Sequence, residues 1–93
     1  LPEPLSQNWV HLEMSQMESR LLGCFEAVFP DVAREDIPTA AIASMPEWDS
    51  LATVTLMSLI EEEFAIAIST DDLELFISFL VIKDLIGEKL GLA

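Results

Sequence analysis

Apolar residues recur along this chain at helical spacing, in stretches punctuated by proline, serine and aspartate. Val10, Met14, Met17, Leu21, Cys24 and Val28 step by four and three residues, and Leu22, Phe25 and Phe29 widen the stripe. The spacing predicts one long helix from Leu5 to Phe29. Residues 1–4 read as an extended lead, because Pro2 and Pro4 lack backbone donors. Pro30 stops the helix, since a proline disfavours helical backbone in the residue before it. A second stripe, Leu51, Val54, Ile60 and Phe64 flanked by Met57 and Leu59, predicts a helix from Ser50 to Phe64 that buries these side chains. Asp49 stands where its carboxylate accepts from the free N–H groups of the first turn. Ser50 then occupies the first helical position, at the positive end of the helix dipole.

Between these helices runs a long connection, Asp31 to Pro46. A loop of that length in so short a chain is expected to be pinned or functional. Val32, Ile37, Ile42 and Met45 are spaced to anchor it on the core, with a helical turn within 39–44. After a link from Ala65 to Ile68, Ser69 and Asp72 have the spacing of a capping box and open a short third helix, Thr70 to Phe76. Ser78 caps a fourth, Phe79 to Leu90, and Gly91 is its stop. The fold class expected is all-α: a four-helix bundle with a long loop between helices 1 and 2 and a short third helix.

Composition narrows the possible partners. The 93 residues carry 17 acidic and 4 basic side chains, a formal net charge of −13, so nucleic acid and anionic membrane surfaces would repel the chain. Partners with basic patches suit it. With 52% apolar residues it is not a disordered acidic tail. No apolar run reaches membrane-spanning length, and Leu1-Pro2-Glu3-Pro4 lacks the basic start of a signal peptide. The one cysteine, Cys24, sits in a helical stripe, as a buried thiol compatible with a reducing cytosol. A cytoplasmic protein is expected.

Three features together resemble the acyl carrier protein family: Asp49-Ser50-Leu51, the acidic helix that follows, and the capped segment Ser69-Thr70-Asp71-Asp72-Leu73. The likeness runs from about Met17 to Leu90 in order and spacing. It implies that Ser50 accepts 4′-phosphopantetheine from coenzyme A through a phosphopantetheinyl transferase. The arm then carries acyl groups as thioesters to enzymes of a fatty-acid, lipid or polyketide-type pathway, and the chain catalyses nothing itself. Asp49 and Leu51 flank the attachment point. Glu47, Trp48, Glu61, Glu62 and Glu63 are the expected docking residues for acyl-loading and acyl-processing enzymes with basic patches. Residues 14–93 form the acyl-carrier-like domain. Residues 1–13 are an N-terminal extension or a leader left by expression, and Trp9 and Val10 offer a sticky end for packing back or for self-association.

Several departures and rivals stand beside that resemblance. Trp48 replaces a small residue, as either a lid over the core or a border to the arm and its partners. Leu80 and Val81 stand where the family carries small or polar residues, which points to a discrete, specialised member. Phe64, Phe76 and Phe79 are expected to fill the core between the second and third helices, favouring short or polar cargo. The rival reading is an all-α protein-interaction module with no prosthetic group. A Ser50–His11–Asp49 hydrolase is disfavoured, because Asp49 adjoins Ser50 and cannot orient a base from behind it. Cation binding by Glu61–Glu63 is disfavoured too, since consecutive helical carboxylates diverge.

Overall fold

The computed structural model describes residues 2–92, with side chains from residue 13 to residue 92. The fold is all-α, and no strand occurs among the described residues. Four α segments follow in order: α1 Pro2–Val28, α2 Ser50–Phe64, α3 Thr70–Leu73 and α4 Phe79–Lys89. Two 3-10 turns, Arg34–Thr39 and Ile42–Ser44, interrupt the connection from α1 to α2. No described helix is long and apolar enough to cross a membrane.

The first helix begins at Pro2, not at Leu5. The first-turn N–H groups of a helix have no intrahelical partner, so prolines at Pro2 and Pro4 forfeit no bond there. Further along, Met17, Leu21, Cys24, Phe25 and Phe29 are buried, while Leu22 and Val28 pack at the margin. Met14 is exposed and so is not part of the buried stripe expected of it; among the described side chains the first buried residue is Met17. The side chains of Trp9, Val10 and His11 lie outside the described residues.

On α2 the buried residues are Leu56, Ile60 and Phe64, at strict four-residue steps. Leu51 and Val54 face outward, 74% and 49% exposed. The expected stripe had mixed two faces: at 3.6 residues per turn, Leu51 lies about half a turn round the helix from Ile60. The helix ends at Ala65 in the left-handed region, φ 53° and ψ 47°. Arg20 of α1 ties that end down. Its Nε donates to Glu63 Oε2 at 2.7 Å, its Nη2 to the Glu63 carbonyl, and its guanidinium lies 4.6 Å from the Phe64 ring centre.

The long connection is held by backbone as much as by side chains. Ile37 and Ala40 are buried, but Ile42 is 41% exposed and is not the anchor expected of it. Its N–H instead donates to the Ile77 carbonyl at 2.9 Å, and Phe79 N–H donates to the Ala40 carbonyl at 3.0 Å. The first 3-10 turn thereby packs between α1 and α4. Helix α3 is shorter than expected and gives way to a turn at residues 74–77. Its capping box is complete: Ser69 Oγ accepts from Asp72 N–H and Asp72 Oδ2 from Ser69 N–H. Ser78 caps α4, and Gly91 at φ 76° closes it, with Gly91 N–H on the Glu88 carbonyl and Leu92 N–H on Gly87.

Aromatic rings join these elements at one point. Trp48 is 2% exposed and meets Phe25 edge-on at 5.5 Å and Phe29 at 5.6 Å, while Phe25 meets Phe79 of α4 at 5.2 Å. Trp48→Ala empties this junction and is expected to cost about 3–5 kcal/mol of unfolding free energy, read by urea titration. A loss below about 1 kcal/mol would remove Trp48 from the core. Gly23, in mid-helix and exposed, works in the opposite direction: a Cβ there meets nothing within 4 Å. Gly23→Ala is therefore expected to raise stability by about 0.5–1 kcal/mol in the same titration, through helix propensity alone.

Candidate functional site

The site is built from the turn that delivers the chain into α2. Trp48 N–H bonds the Met45 carbonyl at 3.0 Å and closes the Pro46-Glu47 turn. The Trp48 ring then drops into the core, and its Nε1 donates to Thr53 Oγ1, one turn into α2, at 3.0 Å. The segment is thus fixed on both sides of Ser50. Asp49 between them is extended, and its Oδ1 accepts from Ala52 N–H at 2.9 Å, the cap that the sequence suggested. Ser50 is the first residue of a 15-residue helix and is exposed. A primary hydroxyl at that position sits near unpaired N–H groups and the positive end of the dipole, which favours a phosphate-bearing substituent. Leu51 and Val54 give this exposed corner an apolar collar.

The structure separates the expected docking residues from one another. Trp48 belongs to the core, because its ring is enclosed by Phe25 and Phe29, as the lid reading expects. Glu61 turns inward, and its Oε2 accepts from Ile68 N–H at 2.9 Å, stitching the link after α2. Glu63 is committed to Arg20. Glu62 and Glu47 remain exposed, with no ion pair among the described residues. No group of three or more His, Cys, Asp or Glu side chains is arranged to hold a metal among the described residues.

All four basic side chains are paired within the chain: Arg20 with Glu63, Arg34 with Glu26, Lys83 with Glu18 and Lys89 with Asp72. Each of the four joins two different elements, so the few cations serve the fold and the unmatched charge outside is acidic. The Lys89 ammonium, and after it the Ser69 N–H, hold the Asp72 carboxyl below the usual carboxylate range. That support for the α3–α4 contact is present above the ordinary carboxylate pKa and is lost as pH falls through the lowered one.

Sequence reasoning missed two features. Leu56 was legible in its four-residue steps to Ile60 and Phe64. The other is a cleft of about 430 Å³ between α1 and α2, lined by Arg20, Gly23, Cys24, Ala27, Leu59, Glu62 and Glu63. Nothing in a single helix's periodicity marks a space between two. A smaller cleft of about 140 Å³ lies by Phe29, Pro30, Asp31 and Glu47.

Cys24 lies at the floor of the larger cleft, 7% exposed. Burial first, and the Glu63 charge second, push its thiol up to about 11, against an ordinary 9.0. The folded chain therefore holds this proton after the unfolded chain has released it. Its contribution to stability is full below the ordinary thiol pKa and falls as pH rises towards 11. Wild type is expected to lose stability between pH 9 and 11 relative to Cys24→Ala, in paired urea titrations. Parallel curves would show a thiol in contact with water. No family model, curated protein or solved structure matches this chain.

Proposed function

We propose that this chain is an acyl carrier: a four-helix bundle with a long first connection and a short third helix, loaded with 4′-phosphopantetheine on Ser50. The observation that carries the reading is the exposed Ser50 hydroxyl at the start of a helix capped by Asp49. Loading joins Ser50 Oγ to the phosphorus that bears the pantetheine arm in coenzyme A. The bond from that phosphorus to the nucleotide half breaks, 3′,5′-ADP leaves, and the hydroxyl proton passes to the transferase or to solvent. In this reading the activating base and the metal belong to the transferase.

When bound, the arm supplies a terminal thiol for thioester carriage. The chain's own residues present and hold it. Asp49 fixes the helix start, and the first-turn N–H groups face the phosphodiester charge. Leu51 and Val54 offer apolar contact beside it, and Glu47 and Glu62 attract basic patches on the loading and processing enzymes. The swinging arm raises the effective concentration of cargo at each partner's active site. Buried Phe64, Phe76 and Phe79 support short or polar cargo, and exposed Leu80 supports a specialised pathway. A cytoplasmic setting, where coenzyme A and reduced thiols coexist, fits buried, unpaired Cys24.

The test is intact-mass analysis after incubation with coenzyme A and a broad-specificity phosphopantetheinyl transferase. Wild type is expected to gain one phosphopantetheinyl mass and Ser50→Ala none. A wild-type chain that stays unmodified while a known carrier is loaded in the same tube would contradict the reading and favour an interaction module without a prosthetic group.

A further inference from the structure

We propose that the chain pairs with a second copy of itself through the first half of α1, the two helices running antiparallel. Helix α1 is unbroken from Pro2 to Val28, about 40 Å at 1.5 Å per residue. Its second half lies on the body, where Met17, Leu21, Cys24 and Phe25 are buried. The body does not reach further along it. Met14, Ser15 and Gln16 are all exposed, and three successive residues span about 200° of a helix's circumference. An unbroken helix cannot double back, so the stretch before Met17 runs on past the core instead of packing against its own chain. A helix of about 15 residues is marginal in water without a packing partner. Its cover therefore comes from outside the chain.

Register and charge decide what that cover is. Leu5, Trp9, Leu12 and Gln16 step by four, three and four residues, the spacing of a two-helix seam. At 3.6 residues per turn these positions lie about 140° round α1 from Met17, Leu21, Cys24 and Phe25, so core and seam occupy different faces of one helix. The positions flanking the seam are Ser6, Asn8, Glu13 and Ser15, which give a basic partner a single charge to pair with. Only Glu3, Glu13 and Glu18 of the 17 acidic residues fall within residues 1–19, and all four basic ones lie beyond. A second copy therefore meets little of the chain's self-repulsion along this stretch. A parallel pair would bring the two acidic bodies side by side. A two-fold antiparallel pair, with Trp9 level with Leu12 and Leu5 level with Gln16, starts the bodies about 20 Å apart along the axis, more than two Debye lengths at physiological salt. The proposal does not rest on the carrier reading, since it uses neither Ser50 nor the acidic face of α2.

Sedimentation equilibrium of the whole chain tests this, from about 5 to 500 μM in about 0.15 M salt. Wild type is expected to pass reversibly from monomer to dimer across that range. Trp9→Ala and Leu12→Ala are each expected to weaken the dimer about tenfold or more, at least 1.4 kcal/mol. Alanine is the strongest helix former, so neither loss can be assigned to helix propensity. Val10→Ala, off the seam, is expected to leave association within about twofold of wild type. Cross-linking reads the direction. Leu5→Cys and Gln16→Cys chains, each also carrying Cys24→Ala, are mixed in a glutathione redox buffer. Disulfides between unlike chains are expected to exceed like-with-like ones about tenfold, because only the antiparallel register brings positions 5 and 16 within bonding reach. Three results would each overturn the proposal: monomer at every concentration, Val10→Ala as damaging as Trp9→Ala, or a majority of like-with-like disulfides. Phosphopantetheine loading at Ser50, read by mass, stands or falls separately.

Discussion

Trp48 set against Phe25 and Phe29 is the contact on which the rest of this small structure depends. Large rings contribute most of the burial energy available to a short chain, and edge-on contact adds to it. Here four rings from α1, the turn before α2, and α4 share one junction. The covalent neighbours of Trp48 are then placed by consequence. Asp49 and Ser50 follow it at once, so the ring inside the core holds the hydroxyl outside it. The indole bond to Thr53 extends the same constraint one turn into α2.

Electrostatics completes the arrangement. A chain with so few cations uses each of them to join or cap elements, and Arg20 does both at the C-terminal end of α2. Exposed ion pairs of this kind contribute little stability individually, about 0–1 kcal/mol. Their larger effect is on the surface. With Lys and Arg tied to the fold, what remains for an approaching partner is acidic, and the two ends of α2 differ. The start offers a hydroxyl within an apolar collar, and the end offers Glu62 beside a cleft.

Much of the fold was legible in the sequence where one residue's own chemistry decides the local structure. Asp49, Ser69, Ser78 and Gly91 cap or stop helices as their side chains and backbone freedom dictate. The errors came where tertiary contacts decide. Leu51 and Val54 are apolar yet exposed, because the face of α2 that meets α1 is set by Leu56, Ile60 and Phe64. Ile42 was read as an anchor, but the loop is fastened by its backbone to residues 77–79, a pairing with no side-chain signature. Of the candidate site, Ser50 and its cap were readable. The burial of Trp48 was one of two readings left open, and the diversion of Glu61 and Glu63 into internal bonds was invisible, since both depend on residues distant in sequence.

The central claim is that a buried indole fixes the exposed serine. Hydrogen exchange of the Trp48 indole N–H, followed by NMR, tests it most directly. The account predicts that this proton exchanges only with global unfolding, as slowly as the amides of Leu21 and Phe25. Exchange within the dead time of the experiment, with those α1 amides still protected, would show that the turn before Ser50 moves free of the core and would contradict the account.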